Sequence, residues 1–297
     1  MTSSDIAATA TPLRVGLVQM RSGRDVSANL DAARALIREA AQAGAHYVQT
    51  PEMTNIIEQE RAALFAALVP EEQDKTLAAL RELARELKLH LHIGSLALKV
   101  SDNRAVNRAF VIDPEGEISA SYDKIHMFNV DLGNGEAYNE SASFSPGERA
   151  VLADVNGVSF GLSICYDLRF PALFRALAEA GAQVLTVPAA FTRPTGEAHW
   201  HVLLRARAIE NGSFVLAATQ GGRHESGRET YGHSLVVDPW GRVLAEGGTE
   251  PGVVFAELDL GAVEAARRRI PSLSHGRRFE VAGRETEGHL HLVEEPT

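Results

Sequence analysis

The chain alternates short apolar runs with longer stretches in which apolar residues return every three or four positions. The first kind predicts strands and the second amphipathic helices. Residues 13–20, with Leu13, Val15, Leu17 and Val18, predict a buried strand, and Leu30, Ala33, Leu36, Ile37, Ala40 and Ala41 form one side of a helix that stops at Gly44. Residues 46–50 predict a second strand closed by Pro51-Glu52. A helix with an acidic start follows over 71–88, its core face Leu77, Leu80, Leu83, Ala84 and Leu87. Strands are expected over 91–98 and 108–112, and Asp113-Pro114-Glu115-Gly116 turns the chain into a strand over 117–122 that delivers Lys124. Beyond a Gly- and Asn-rich loop over 128–145, a strand over 151–155 meets Asn156-Gly157, a strong hairpin signal.

The next stretch changes rhythm within a few residues. Val158, Phe160, Leu162 and Ile164 alternate with small residues as in a strand; Pro171 then opens a helix carrying Leu173, Phe174, Leu177 and Ala180, with Gly181 as its stop. Between them, in Cys165-Tyr166-Asp167-Leu168-Arg169, stands the only cysteine of the protein. The remainder predicts a strand over 183–187, a loop over 188–197, a helix over 198–211, strands over 214–219, 233–237, 241–245 and 253–258, and a helix over 261–269. No period is evident after Pro271.

Strands alternating with helices, plus hairpins, predict an α/β fold with mixed sheets. Two pairs of segments recur in the same order. Ala43-Gly44-Ala45-His46-Tyr47-Val48-Gln49-Thr50-Pro51 is similar to Ala180-Gly181-Ala182-Gln183-Val184-Leu185-Thr186-Val187-Pro188, and Val111-Ile112-Asp113-Pro114-Glu115-Gly116 to Val236-Val237-Asp238-Pro239-Trp240-Gly241. The chain therefore reads as two related halves, two sheets packed face to face inside outer helices, with a site where strand ends of both halves meet. Glu52 falls opposite Ala189 in this comparison, so the repeat unit does not demand its charge. Lys124 likewise lies at the end of a hairpin whose counterpart finishes near Thr249. Both become candidates to converge on Cys165.

At 297 residues with 45% hydrophobic content the chain has material for a sizeable core, read as one domain over 13–280 between a disordered lead-in, 1–12, and a tail, 281–297. A formal charge of −10 argues against nucleic acid or an anionic membrane as partner. No apolar run is long enough to span a bilayer, the N-terminal residues lack a targeting pattern, and a single cysteine fits a reducing compartment; the expected location is cytoplasmic. His90 and His92 share a strand face without a third metal ligand of suitable spacing, and His199 and His201 do not face each other on a helix, so neither a metal nor another cofactor is expected.

A carboxylate, an ammonium and a thiol suffice for acyl transfer. Glu52 can take the thiol proton and later activate water, and Cys165 can attack a carbonyl to form a thioester. Lys124 and the backbone N–H of Tyr166 can stabilise the oxyanion. Arg169, in the same turn, is placed to clamp a carboxylate, or else to pair with Asp167 or another local acid.

Pro51-Glu52, Tyr122-Asp123-Lys124-Ile125-His126-Met127-Phe128 and Ile164-Cys165-Tyr166-Asp167-Leu168-Arg169-Phe170-Pro171 resemble, in order, the three signature segments of the nitrilase superfamily of carbon–nitrogen hydrolases. The resemblance extends from about Leu13 to the region of Phe279. It implies a four-layer α-β-β-α sandwich with a pseudo-twofold internal repeat that forms homodimers or larger homo-oligomers, and a Glu-Lys-Cys triad at Glu52, Lys124 and Cys165. It places the family's second glutamate at Glu140, with Glu136 the weaker choice. Pro188-Ala189-Ala190-Phe191, Thr195-Gly196-Glu197-Ala198-His199-Trp200 and residues 204–211 resemble the branch acting on small keto-acid amides, which adds Phe191 and Thr195 as substrate contacts. The segments 217–225 and 231–234 favour deaminated glutathione as substrate over α-ketoglutaramate. A catalytically silent metabolite-binding protein is the alternative of a different class. Gly196-Glu197 departs from the branch, where a proline follows the glycine.

Overall fold

The computed structural model describes residues 12–133 and 135–279; the expected lead-in, apart from Pro12, and the expected tail lie outside them. In chain order the first half contains β1 (Leu13–Gln19), α1 (Val26–Gln42), β2 (Tyr47–Gln49), α2 (Arg61–Ala67), α3 (Lys75–Leu87), β3 (His90–Ser101), β4 (Arg104–Ile112) and β5 (Ile118–Asp123). A short ribbon follows, β6 (Asn129–Asp131) with β7 (Ala137–Asn139). The second half runs through β8 (Leu152–Val155), β9 (Val158–Gly161), α4 (Pro171–Glu179), β10 (Val184–Thr186), α5 (Arg193–Asn211) and β11 (Phe214–Ala217). It continues with the ribbon β12 (Gly221–Arg223) and β13 (Glu229–Tyr231), then β14 (Leu235–Val237), β15 (Val243–Glu246), β16 (Gly252–Leu258) and α6 (Gly261–Arg269).

Two six-stranded sheets have the orders β16-β1-β2-β3-β4-β5 and β8-β9-β10-β11-β14-β15, the second written from its opposite edge. Each has three parallel strands in the middle, two antiparallel strands on one side and one on the other. The segments paired by sequence occupy equivalent places. Residues 43–51 contain β2 and 180–188 contain β10. The turns at Asp113 and Asp238 join equivalent hairpins, and each aspartate accepts two backbone N–H bonds within its own turn. The halves differ in where the antiparallel edge strand comes from: β8 precedes its neighbour in sequence, whereas β16 returns from the far end of the chain to pair with β1.

Successive residues of one strand enter different layers, which is why the strands read as nearly continuous apolar runs. Val15 and Leu17 join a core that also holds Phe160, Leu185, Leu216 and Val236 of the second sheet, and the rings of Tyr47 and Phe160 meet across it at 4.8 Å. Val18 turns outward and packs with Ile37, Ala40, Leu80 and Phe110 beneath α1 and α3. Leu173, Phe174 and Leu177 of α4 and Trp200 and Leu204 of α5 cover the second sheet.

Three of the expectations that change at this level bear on the site. The cysteine strand ends at Gly161, so residues 162–164 leave the ladder before Cys165. Helix α5 starts at Arg193, five residues early, because Pro194 is acceptable in a first turn and Gly196 lets the ring of Tyr231 lie against the helix. The loop over 128–145 holds β6, β7 and a 3-10 turn, Glu140–Ala142.

Candidate active site

The ends of the parallel strands β2 and β9 and of β5 bring Glu52, Cys165 and Lys124 together at the rim shared by both sheets. Glu52 follows β2 and is buried. Its Oε1 accepts hydrogen bonds from Lys124 Nζ at 2.9 Å and Asn107 Nδ2 at 2.9 Å, and its Oε2 accepts from the Ala190 N–H at 2.9 Å. Lys124, equally buried, also donates to both carboxylate oxygens of Glu140, at 3.0 and 2.9 Å. Glu140 is held in turn by the Phe128 N–H, at 2.7 Å. Glu136, the weaker sequence choice, instead accepts from the Tyr138 hydroxyl at 2.9 Å.

Cys165 opens a 3-10 turn, Cys165–Arg169, in a left-handed conformation, φ 50°, and is 6% exposed. A non-glycine residue in that region is strained unless its surroundings fix it. They do. The Cys165 N–H donates to the Pro188 carbonyl at 2.9 Å, and Asp167 locks the turn from within. Asp167 Oδ2 accepts from the Ile164 N–H at 2.8 Å and the Tyr122 hydroxyl at 2.7 Å. Its Oδ1 accepts from the His126 N–H at 3.0 Å and meets His126 Nδ1 at 2.7 Å. The segment around Lys124 is thus clamped to the segment around Cys165 by residues two places on either side of the lysine. The His126 ring completes the clamp by stacking on Phe170 at 3.5 Å.

The charges of the cluster follow from these contacts. Burial pushes the Glu52 carboxyl up, but the charge and hydrogen bond of Lys124, the bond from the Cys165 thiol and the charge of Arg228 outweigh it and hold it below its ordinary value. Burial opposes the Lys124 ammonium, yet Glu140 and Glu52 raise its pKa, so it remains a cation. Burial pushes the Cys165 thiol well up, as do the charge of Glu52 and the hydrogen bond to it; Lys124 works in the other direction. Burial and the neighbouring Glu52 charge together favour the thiol form of Cys165 at rest.

Beside this cluster opens a cavity of about 280 Å³, whose walls include Glu52, Lys124, Glu140, Cys165, Tyr166, Phe191 and Thr195. Seven of the eight residues expected at the site therefore share one cavity. Arg169 does not line it: its guanidinium lies 5.9 Å from the Tyr166 ring and 5.2 Å from the Phe191 ring, with His199 Nδ1 at 3.3 Å. Asp167, its alternative partner, is committed to Tyr122, His126 and Ile164. Asn107, which bonds Glu52 and reaches Glu140 Oε1 at 3.3 Å, and Asp167 were not expected at the site. An amide and a carboxylate buried amid apolar strands are signals that only spatial proximity makes readable.

The histidines have separate partners. His90 Nε2 meets Asn156 Oδ1 at 3.0 Å and His92 Nδ1 meets the Tyr47 hydroxyl at 2.8 Å. Among the described residues one trio could offer donors to a metal: His201, His233 and Glu246, drawn from elements that no spacing rule connects. Glu246 Oε1 already bonds both imidazoles, at 2.9 and 2.8 Å, and none of the three lines the cavity.

The family model for carbon–nitrogen hydrolases matches residues 14–268. The chain belongs to the carbon–nitrogen hydrolase family. Its curated relatives include the deaminated glutathione amidase of Yersinia enterocolitica, 38% identical over 89% of this chain and 92% of the relative. The human protein of the same name is 39% identical over 89% and 82% of the two chains. Among solved structures, the Caenorhabditis elegans NitFhit protein superposes with a TM-score of 0.84 at 36% identity, over 91% of this chain and 66% of that one. Saccharomyces cerevisiae Nit3, described as a member of branch 10 of the nitrilase superfamily, gives 0.81 at 30% identity, over 91% and 98%. An amidase from Nesterenkonia gives 0.75 at 30%, again over 91% and 98%; a mutant of the amidase from Nesterenkonia sp. AN1 carries acrylamide added at its active-site cysteine. No helix among the described residues is long and apolar enough to cross a membrane.

Proposed function

We propose that this family member hydrolyses the amide of a small keto acid, deaminated glutathione first among them, through a thioester on Cys165. The observation that carries the reading is the contact of one thiol, one carboxylate and one permanent ammonium in a cavity of metabolite size. The names of the relatives supply the substrate class. We further infer one domain over 13–280, a cytoplasmic location and a homodimer; the exposed apolar side chains of Val202, Ile209 and Trp240 support the last.

In this scheme Glu52 takes the thiol proton as Cys165 Sγ attacks the amide carbon, because the neutral resting thiol cannot attack without losing it. Negative charge passes from Glu52 to the carbonyl oxygen, where Lys124 and the Tyr166 N–H meet it. The C–N bond then breaks, the amine leaves with the proton held on Glu52, and the carboxylate is restored. In the second half Glu52 takes a proton from water, hydroxide adds to the thioester, and the C–S bond breaks to release the acid and return the thiol. Glu140 holds Lys124 and faces the leaving amine, while Phe191 and Thr195 contact the acyl chain. Arg169 stands at the rim behind Tyr166 and Phe191 as a second cation for a substrate with two carboxylates.

A panel of amides scored for amine release tests the function. Deaminated glutathione should turn over fastest, and Cys165→Ala should abolish turnover with the fold retained. A large preference for α-ketoglutaramate would move the assignment to that shorter amide. Absence of both turnover and a mass adduct on Cys165 would leave a metabolite-binding protein.

A further inference from the structure

The cavity has a third cation besides Lys124 and Arg61: Arg228, which lies in the turn between β12 and β13. Lys124 is already ion-paired with two carboxylates, Glu52 and Glu140. Arg61 is exposed, donates to the Asn103 carbonyl and covers the Phe65 ring. Arg228 differs from Lys124 in having no carboxylate within ion-pair distance among the described residues, and from Arg61 in being partly buried. Its Nη2 donates to the Ala190 carbonyl at 2.5 Å, its guanidinium lies 5.3 Å from the Tyr138 ring, and its buried Nε finds no protein acceptor.

The surroundings hold this side chain in place. His224 at the start of the turn is buried, with Nδ1 2.8 Å from the Ser22 carbonyl and Nε2 2.7 Å from Thr230 Oγ1. The turn closes through the His224 N–H, which donates to the Arg228 carbonyl at 2.9 Å. Strand β13 then docks on the cavity wall through the Tyr231 N–H, which donates to the Phe191 carbonyl at 2.9 Å. A rigidly presented guanidinium with spare donors, in a partly apolar cavity, costs desolvation that only an anion recovers. Planar paired donors suit a carboxylate best.

We infer that Arg228 binds the carboxylate of the substrate's acyl chain and so selects anionic amides over neutral ones. The inference rests on the amidase reading for its substrate class, but the geometry of Arg228 stands apart from the nucleophile. Arg228 also lies close enough to Glu52 for its charge to favour that carboxylate, so its loss could act on chemistry instead of recognition. The two effects separate by substrate: a recognition defect spares an amide without a carboxylate, and a defect in Glu52 does not.

The test compares α-ketoglutaramate with butyramide, which lacks the carboxylate, on the full chain and on Arg228→Gln and Arg228→Lys. A hydrogen bond to a charged group corresponds to about ten- to a hundredfold in kcat/KM. Arg228→Gln should lose that much on α-ketoglutaramate, chiefly in KM, with butyramide within about threefold of wild type and Arg228→Lys in between. Equal losses on both amides, or none on either, overturn the inference. If Arg228→Gln does not fold, Arg228→Lys decides by the same comparison. Calorimetric binding of α-ketoglutarate keeps the two readings distinguishable. If wild type hydrolyses no amide yet binds this keto dicarboxylate and Arg228→Gln does not, the amidase reading fails and the Arg228 site stands. If wild type neither hydrolyses nor binds it, both fall.

Discussion

At the scale of single residues, Glu52 and Cys165 have moved apart in proton affinity although they share a hydrogen bond. Glu52 lies below its ordinary value and the thiol well above its own, so the proton rests on sulfur and the base is ready. The sign of the pH dependence follows. A carboxyl with a lowered pKa keeps its ionised form to lower pH, so the acid limb of kcat/KM should lie below the ordinary glutamate range. Lys124, raised by two carboxylates despite its burial, loses no charge on the alkaline side near neutrality. A pH profile between about 3 and 9, with circular dichroism followed in parallel, checks this. An acid limb near neutrality in folded protein would reject Glu52 as an ionised base. Glu52→Gln keeps the shape and removes the proton acceptor, and a drop of about 10²- to 10⁴-fold in thioester formation is expected by rapid-quench mass measurement. Retention of the wild-type rate would pass the role to another group.

At the scale of elements, the strand ends closed by proline were legible in the sequence, whereas the apolar run before Cys165 continues past the end of its strand at Gly161. Pro51 and Pro188 close β2 and β10, and just beyond them Glu52 and Ala190 stand at the site. The ribbons β6-β7 and β12-β13 were not legible. Each has three-residue strands around glycines, and their place comes from docking: Glu140 on Lys124, and Tyr231 on Phe191. Helix α2, seven residues with Leu64 as its buried anchor, is too short to show a period. Asn107 and Asp167 escaped for a different reason, since their meaning lies in partners 55 and 45 positions away. Gly94 in β3 belongs to the same class. A side-chain carbon there would fall 2.0 Å from the Thr50 carbonyl oxygen, 2.7 Å from that of Pro51 and 2.5 Å from Pro188 Cβ, where the two halves press together. Gly94→Ala should cost about 1–3 kcal/mol or more in urea unfolding, as for an overpacked core, and should lower activity by shifting Glu52. An unchanged midpoint would mean that the strand ends have room to part.

At the scale of the whole molecule, the two halves share one internal core, and β16 ties the end of the described chain back to its first strand. Several of the large apolar side chains that the fold leaves exposed lie on the second half. Val202 and Ile209, seven positions apart on α5, share a helix face and are 68% and 50% exposed. Ile209 approaches Gly241, next to Trp240, so exposed apolar side chains of α5 and of the β14-β15 turn come close together, with Arg205 among them donating to the Gly241 carbonyl, and Val243 and Leu244 are also exposed nearby in sequence. Exposed apolar side chains grouped in this way are the feature on which the proposed homodimer rests. A stable pairing needs about 800 Å² from each partner, which two long helices laid together can supply. Because both side chains already face water, Val202→Glu with Ile209→Glu should change the stability of the single chain little, within about 0.5 kcal/mol per site. The effect should appear in assembly. In analytical ultracentrifugation the wild-type protein should sediment at twice the 32.0 kDa chain mass, or a larger multiple, and the double variant at one chain mass. Its thermal midpoint should lose the dependence on protein concentration that a dimer shows. A wild-type protein that sediments as a single chain refutes the dimer, and a double variant that stays paired moves the interface to another face.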